Sequence, residues 1–229
     1  MLTPRRRRGF EHLDDPATGD ALRERSLRDV RLANTLFGGR RAVMRELARL
    51  LDTLGNSPTL LDVGTGLADI PLGARELAKA RGVALETYGV DYAESLARTS
   101  ASVLDGSVCA DARQLPFANA SIDVVTCSQV LHHFEDAEID TVLRELHRVA
   151  RHAVIVSDLR RSWIAAGSFW SVTWLLGFHP VSRHDGAMSV LRGFTGRELA
   201  DHVRSATGSA ADIRSHLGYR LTATWMPST

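Results

Sequence analysis

One stretch, residues 60–69 (LLDVGTGLAD), constrains the possible fold of this chain more than any other. An apolar run ends in an acid and breaks into a glycine turn, and Ile70 to Arg81 then has the periodicity of a helix. Glycines permit a sharp turn and a close approach of ligand to backbone, and a helix start offers N–H groups without intrahelical partners. This order predicts a nucleotide-like ligand at the carboxyl end of a parallel strand.

Two ligand patterns compete for this turn. A dinucleotide fingerprint requires G-x-G-x-x-G, and Gly64 and Gly66 fit it, but Asp69 takes the third glycine position and would face a pyrophosphate. The other pattern, Asp/Glu-x-Gly-x-Gly-x-Gly, resembles the first motif of class I methyltransferases that use S-adenosylmethionine. Asp62 matches its acid, and Ala68 replaces its third glycine, which we expect to cost little if φ stays negative there. A structural turn without ligand is the third interpretation.

The next apolar run supports the methyltransferase pattern. Leu85 to Asp91 predicts a second strand that ends in an acid, at a distance from the glycine turn that suits a β-α-β unit. An acid at this position can accept hydrogen bonds from both ribose hydroxyls of an adenosine. The alternative is that Asp91 caps the helix predicted from Ala93 to Val103.

The most specific similarity lies between Cys109 and Phe134. A predicted third strand, Val108 to Arg113, is followed by Leu-Pro-Phe, by a fourth strand at Ile122 to Ser128, and by Leu-His-His. This run is closely similar to the ubiquinone- and menaquinone-type group of small-molecule methyltransferases. The resemblance implies an α/β, doubly wound, Rossmann-like sheet of seven strands in the order 3-2-1-4-5-7-6. It also implies S-adenosylmethionine as cofactor, held by residues that match the family's motifs: Asp62, Gly64, Thr65, Gly66, Asp91, Tyr92, Asp111, Ala112 and Ser128.

Histidines after the fourth strand suggest the chemistry. Open α/β sheets bind ligands at this edge, and histidine suits proton transfer near neutral pH. His132 and His133, with Asp158 at the end of the predicted fifth strand, resemble the active-site set of sugar O-methyltransferases. Because members that methylate carbon also carry Leu-His-His, carbon and nitrogen methylation remain alternatives. His184, beside Asp185, is a second candidate base.

We expect additions on both sides of the cofactor fold. Residues 1–18 predict a disordered tail, residues 19–56 a helical lid, and residues 57–229 the methyltransferase domain, with 159–194 as a substrate-cap insert. In the lid, Arg31 or Asn34 could contact the methionine end of the cofactor. The insert is rich in aromatic residues that predict a wall for a flat or apolar acceptor, and its candidate acceptor contacts are Trp163, Phe169, Trp170 and His179. The polar residues 179–186 predict a loop that faces the same cleft.

Composition limits the remaining classes. The formal net charge is +1, so no global field favours nucleic acid. Both cysteines, Cys109 and Cys127, fall in predicted strands and indicate small buried residues in a reducing compartment, with neither a disulfide nor a metal site. Arg5 to Arg8 are not followed by an apolar run, so we expect a cytoplasmic protein without a signal peptide.

The sequence therefore predicts a methyltransferase of a small molecule, most simply at the hydroxyl of a phenol, quinol, polyketide or other natural product. The expected partner is that acceptor, with neither nucleic acid nor stable membrane insertion, in a monomer or homodimer. Peripheral membrane contact of Ser162 to Phe178 remains open, because tryptophan favours membrane interfaces. A non-catalytic module with this fold is the alternative from another class, and a nicotinamide oxidoreductase is weaker still.

Overall fold

The computed structural model describes residues 3–7, 9, 11–12, 22, 25–26, 29, 32–33 and 37–227. Its strands are β1 Thr59–Val63, β2 Glu86–Asp91, β3 Gly106–Cys109, β4 Ile122–Ser128, β5 Ala150–Leu159, β6 Asp212–His216 and β7 Arg220–Trp225. Its helices are α1 Gly39–Leu50, α2 Asp69–Lys79, α3 Glu94–Ala101, α4 Asp136–Val149, α5 Trp163–Leu175, α6 Pro180–Arg192 and α7 Gly196–Thr207. Short 3₁₀ turns cover Leu51–Thr53 and Leu131–His133.

All seven strands form one sheet in the order β3-β2-β1-β4-β5-β7-β6, which confirms the predicted topology. Strands β1 to β5 run parallel to one another, and β7 pairs antiparallel with both β5 and β6. The sheet is therefore doubly wound, and the carboxyl ends of β1, β4 and β5 lie at the same edge. Ligands of open α/β sheets bind at such an edge.

The central strands are apolar on both faces because helices cover both sides of the sheet. Leu60, Val124 and Ile155 pack with α1 and α2 on one side. Leu61 and Val125 belong to the larger cluster on the other side, which includes the inner faces of α4 and α7. This period-two division fixes the register of the strands and holds their carboxyl ends in place.

Two local predictions were wrong. Residues 111–113 do not extend β3, because Asp111 accepts the backbone N–H of Arg113 at 2.8 Å and turns the chain. The polar segment after His179 is not a loop but the start of α6. Pro180 occupies the first turn of that helix, where its missing N–H costs nothing, and His179 Nδ1 accepts the N–H of Val181 at 3.3 Å.

Helices α5 and α6 form an insertion after β5 whose two ends are joined by hydrogen bonds. We call residues 162–193 the cap. The N–H of Arg161 donates to the carbonyl of Phe194 at 3.0 Å, and the N–H of Phe194 donates to that of Leu159 at 2.9 Å. The Arg161 guanidinium is buried and also donates to the carbonyl of Gly193 at 2.6 Å. The chain thus leaves and re-enters the sheet region at one point.

The described residues near the N-terminus contact the body of the protein, although the sequence predicted a disordered tail there. Arg6 donates from Nε to the carbonyl of Arg192 at 2.8 Å. Arg161 donates from Nε to the carbonyl of Pro4 at 2.8 Å. The proposed boundaries of tail, lid and domain stay predictions, and Arg31 and Asn34 lie outside the described residues.

Cys127 is buried as predicted, but Cys109 is exposed because β3 is an edge strand. Both are free thiols. Within the described ranges, no helix has the length and apolar character required to cross a bilayer.

Candidate active site

A cavity of about 640 Å³ opens at the carboxyl edge of the sheet. Its walls come from the turn after β1, the residues after β4, the start of β7 and the inner side of the cap. Predicted site residues in these walls are Asp62, Gly64, Thr65, Gly66, Ser128, His132, His133 and Phe169. The sheet thus brings the predicted cofactor turn and the predicted catalytic histidines to one cavity.

Every second residue from Gly64 to Ala68 has a left-handed backbone conformation: φ is 75° at Gly64, 54° at Gly66 and 63° at Ala68. The condition under which alanine would cost little at position 68, a negative φ, is therefore not met. The cost of this conformation for a residue with a Cβ is roughly 1–2 kcal/mol. At Gly64, an added Cβ would lie 2.3 Å from Cγ2 of Val130, so a side chain there is excluded by contact as well as by conformation.

Asp62 is buried at the floor of the cavity and is 1% exposed. Its Oδ1 accepts the hydroxyl of Thr126 on β4 at 2.7 Å. Burial is the main cause that raises the pKa of Asp62 to about 7, and the carboxylates of Asp91 and Asp69 act in the same direction. A cation bound beside Asp62 would favour its ionised form.

The carboxylate of Asp91 bridges two backbone segments. Oδ2 accepts the N–H of Gly66 at 2.9 Å, and Oδ1 accepts the N–H of Ala93 at 2.9 Å. The side chain thus braces the glycine turn, and the N-cap residue of α3 is Ala93 instead. Asp91 and the exposed Tyr92 lie outside the wall of the cavity, and their roles toward ribose and adenine stay predictions.

Asp111 and the buried Ala112 also lie outside this wall. The guanidinium of Arg113 holds Asp111, with Nη2 2.6 Å from Oδ2, and this hydrogen bond lowers the pKa of the carboxyl group. Arg113 also contacts Glu138 at 2.5 Å. An adenine amino group that donated to Asp111 would therefore share this carboxylate with the Arg113 guanidinium.

His132 and Asp158 form a buried pair at the cavity. Nδ1 of His132 lies 2.7 Å from Oδ1 of Asp158, and the backbone N–H of His132 donates to Oδ2 at 3.2 Å. Burial lowers the pKa of His132 more than the neighbouring carboxylate raises it. Burial alone would raise the pKa of Asp158, but the charge and hydrogen bond of His132 outweigh it and lower that pKa.

These directions describe a neutral imidazole beside an ionised carboxylate near pH 7. Because the carboxylate can only accept, the imidazole proton resides on Nδ1 of His132. Its Nε2 then carries a lone pair and can accept a proton. Asp158 is in position to fix this tautomer and to stabilise the imidazolium that forms, as the acid of a catalytic triad does.

His133 is exposed, and its ring centroid lies 4.2 Å from that of His132. A ligand atom of each histidine and of the buried Glu11 lie within 4.8 Å of one another, a donor set that could hold a metal ion. The Glu11 carboxylate also lies 2.8 Å from Nη1 of Arg192, whose charge competes with a cation for it. Glu11 comes from the N-terminal segment, and nothing in its local sequence marked it as part of the site.

The second candidate base, His184, is not part of the cavity wall, and 42% of its side chain is exposed. Its Nδ1 lies 3.0 Å from Oδ1 of Asp185, which also accepts the N–H of His12 at 3.0 Å. These three residues form another set of potential metal ligands. Asp185 itself is buried and lines the cavity. The cap therefore presents the carboxylate to the cavity instead of the imidazole.

Only part of the predicted aromatic wall faces the cavity. Phe169 lines it and packs against Phe37, with centroids 5.3 Å apart. Trp163 and Trp170 are about half exposed and lie outside this wall, so their contact with an acceptor stays a prediction. The small residues of α5 face inward, so the bulky indoles are left outside. His179 caps α6 and does not reach the cavity wall.

Arg220 and Gln129 are wall residues that the sequence analysis missed. Arg220 is 3% exposed, donates from Nη1 to Oε1 of Gln129 at 2.5 Å, and burial lowers its pKa to about 10. Gln129 follows β4 with φ of 60°, which is uncommon for a residue with a side chain. A charged residue opening the apolar strand β7 was the available signal for Arg220.

Comparison with known proteins agrees with this geometry. A sequence model of the family described as "Methyltransferase domain" matches residues 61–157, which run from β1 into β5 and include the glycine turn and His132. This segment is similar to class I S-adenosylmethionine-dependent methyltransferases. The chain is 32% identical, over 112 residues, to the ubiquinone/menaquinone biosynthesis C-methyltransferase of Burkholderia vietnamiensis. That match spans 45% of this chain and 44% of the relative, less than half of either.

Solved structures of methyltransferases share the fold of this chain. A SAM-dependent methyltransferase from Aquifex aeolicus has a TM-score of 0.56 at 17% identity, over 86% of this chain and 97% of its own. The 1,6-didemethyltoxoflavin-N1-methyltransferase of Burkholderia thailandensis has a TM-score of 0.55 at 18% identity, over 94% and 93%. The magnesium protoporphyrin IX methyltransferase of Synechocystis with bound SAM has a TM-score of 0.54 at 17% identity, over 95% and 88%.

The residues of this cavity fit S-adenosylmethionine. S-adenosylmethionine carries an ammonium and a sulfonium, and the buried acid Asp62 is a suitable neighbour for positive charge. Ser128 has a buried hydroxyl at the cavity wall that, among the described residues, has no hydrogen-bond partner. The glycine turn leaves its backbone accessible at Gly66, where no atom lies within 4 Å of an added Cβ.

Proposed function

We propose that this protein transfers the methyl group of S-adenosylmethionine to a hydroxyl of a small-molecule acceptor, with His132 as the general base. The observation that carries the proposal is the buried His132–Asp158 pair in the wall of the cavity that also contains Asp62. Proximity, orientation and exclusion of water supply much of the catalysis of such a transfer. A base adds to them when the nucleophile must lose a proton.

When bound, the cofactor would supply a methyl group made electrophilic by its sulfonium. An acceptor oxygen in line with the S–C bond would form the new O–C bond as the S–C bond breaks, and S-adenosylhomocysteine would be the leaving group. Asp62, the glycine turn and Asp91 would hold the cofactor. His132 accepts the hydroxyl proton at Nε2, and Asp158 stabilises the imidazolium through Nδ1. His133, beside His132 at the cavity, would contact the acceptor.

The cavity favours an acceptor with an apolar, flat part. Its upper wall is formed by Ala165, Phe169 and Val190 of the cap and by Leu159. Aromatic side chains such as Phe169 pack well against planar rings. Phenols, quinols and aromatic polyketides combine such a ring with an acidic hydroxyl, so we place the protein in quinone or natural-product metabolism.

A second candidate is methylation of a ring carbon. The relative from B. vietnamiensis is named as a C-methyltransferase, which favours this outcome. Removal of a phenolic proton makes the adjacent ring carbons nucleophilic, so the same base would serve both reactions. The two candidates differ in which acceptor atom lies in line with the methyl group.

Incubation with S-adenosylmethionine labelled with ¹³C in the methyl group, and with a panel of phenols, quinols and sugars, tests both candidates. The carbon shift of the product separates a methoxy group from a methyl group on carbon. Replacement of His132 by alanine should abolish most turnover but leave S-adenosylhomocysteine binding intact. His133→Ala removes the neighbouring imidazole at the same wall and should raise the KM for the acceptor more than it lowers turnover. Full turnover by His132→Ala would refute the assigned base, and a C-methyl product would select the second candidate.

A further inference from the structure

The outer side of α5 is an apolar surface that the rest of the protein leaves uncovered. No residue from Trp163 to Leu176 is charged. Trp174 is 64% exposed and Leu175 is 75% exposed. More than half of the exposed large apolar side chains of the described residues lie in this short stretch: Trp163, Ile164, Trp170, Val172, Trp174, Leu175 and Leu176. An apolar patch of this kind marks an interaction surface.

The opposite side of α5 is fixed to the protein. Ala165, Ala166 and Thr173 are buried, and Phe169 packs on Phe37. Ser162 caps the helix by accepting the N–H groups of the first turn. The orientation of α5 is therefore determined by packing, and its outer side cannot turn inward without loss of these contacts.

Positive charges surround this apolar surface. The guanidinium of Arg7 lies 5.0 Å from the ring centroid of Trp163, and that of Arg183 lies 5.2 Å from the ring centroid of Trp170. Arg160 lies at the start of the same region, over the ring of Tyr219. In the part of the chain that the structure describes, no carboxylate forms an ion pair with any of these three arginines.

We propose that the outer side of α5 docks on a phospholipid surface that contains anionic lipids. Indoles at the depth of the headgroups, with arginines beside lipid phosphates, would satisfy both the apolar and the charged parts of this surface. A second copy of the chain fits less well, because a two-fold interface would bring the unneutralised arginines of both copies together. The helix lies along the lipid surface, since it is too short to cross a bilayer.

This surface adjoins the cavity through the thickness of one helix. Ala165, Ser168 and Phe169 of α5 line the cavity, whereas Trp174 and Leu175 face solvent. Docking would hold the cap at the lipid headgroups and place the acceptor cavity directly above them. The inference does not depend on the reaction, because it concerns the outer side of the cap alone.

Co-sedimentation of the full-length protein with vesicles tests the proposal. We expect binding to vesicles of phosphatidylcholine mixed with phosphatidylglycerol, and weaker binding to phosphatidylcholine alone. The double variant Trp174→Glu/Leu175→Glu should lose binding. Val103→Glu/Val108→Glu is the matched control, since it adds the same two charges at exposed apolar residues in and beside the edge strand β3.

The arginines provide a second test that leaves the apolar surface intact. Arg7→Gln and Arg183→Gln should each weaken partitioning to the anionic vesicles by about fivefold at low salt, the effect of about 1 kcal/mol per charge near the surface. Partitioning of the wild-type protein should decrease with added salt. An unchanged melting temperature and unchanged S-adenosylhomocysteine binding would establish that each variant is folded.

Absence of wild-type binding to anionic vesicles would overturn the proposal, as would equal binding by the glutamate double variant. Light scattering of the purified protein provides a further outcome. The proposal is wrong if the wild-type chain is a dimer, the glutamate variant is a monomer and neither protein binds vesicles. In that case the surface is a contact between two copies of the chain. Equal binding to neutral and anionic vesicles, insensitive to Arg183→Gln, would overturn the role of charge.

Discussion

Replacement of Asp62 by asparagine should make the free energy of unfolding less dependent on pH. Relative to wild type, the variant should become more stable as the pH rises. The structure buries this carboxyl group and raises its pKa to about 7, against an ordinary value of 3.8. Between these two values, the unfolded chain is ionised at Asp62 and the folded chain is protonated. The folded state therefore binds the extra proton, and its stability decreases as the pH rises through this window.

The magnitude follows from the two pKa values. Each unit corresponds to about 1.4 kcal/mol, so the full cost of ionising Asp62 in the folded protein is about 4 kcal/mol above pH 7. About 2 kcal/mol of this cost develops between pH 5 and pH 7. Asparagine cannot ionise, so the stability of Asp62→Asn relative to wild type should increase by about 3 kcal/mol from pH 5 to pH 8. A buried amide N–H without a partner would subtract about 1–3 kcal/mol at both pH values.

Urea unfolding of both proteins without cofactor, at pH 5 and pH 8, measures this difference directly. Calorimetric titration with S-adenosylmethionine measures the second consequence. Wild-type protein should release a proton on binding below pH 7, because the cofactor's positive charge favours the carboxylate, whereas Asp62→Asn should release none and bind much more weakly. Asp69→Asn is a control for removal of a nearby acid that is not fully buried.

Two results would refute this reasoning. A stability difference between Asp62→Asn and wild type that does not vary from pH 5 to pH 8 would show that Asp62 titrates in its ordinary range. Unchanged cofactor affinity in the variant would show that the carboxylate does not face the ligand's positive charge.

The other predictions concern the base, the ribose contact and the glycine turn. Turnover by His132→Ala should decrease by ~10²-fold or more. Because burial lowers the pKa of His132, wild-type turnover should decrease only below pH 6.5, the ordinary pKa of histidine. A pH–rate profile of both proteins measures the two effects. Asp91→Ala should weaken S-adenosylmethionine binding by about 1–3 kcal/mol through lost hydrogen bonds, and unchanged affinity in calorimetry would contradict the ribose contact. Gly64→Ala should lower the melting temperature much more than Gly66→Ala, because the new methyl group overlaps Val130 in the first variant and meets no atom in the second. Equal melting temperatures would contradict the described turn.

The sheet could be predicted from the sequence because its central strands carry a strong local signal. The structure gives β4 the bounds Ile122 and Ser128 that the apolar run indicated. The strand order followed from the family resemblance rather than from the apolar pattern. The α6 helix was missed because polar residues after His179 resemble a loop, although Pro180 is favourable in a first helical turn.

The site was predictable only where its residues adjoin strand ends. His132 and Asp158 lie at the ends of neighbouring strands, so topology brings them together. Glu11 reaches the cavity through contacts distant in sequence, which no local pattern encodes. Gln129 and Arg220 adjoin the ends of β4 and β7, but their local sequence does not indicate that both side chains face the cavity. The positive φ of Ala68 likewise follows from the closed turn around it and not from a residue preference.

The joined ends of the cap have an evolutionary consequence. Residues 162–193 begin and end at one set of hydrogen bonds between Arg161 and Phe194, so the sheet does not depend on the length or composition of what lies between. Inherited changes there can reshape the upper wall of the cavity and the outer surface of α5 while the turn after β1 and the His132–Asp158 pair remain constrained. Evolution can thus change the acceptor through substitutions in the cap, while the residues on the opposite side of the cavity keep their arrangement.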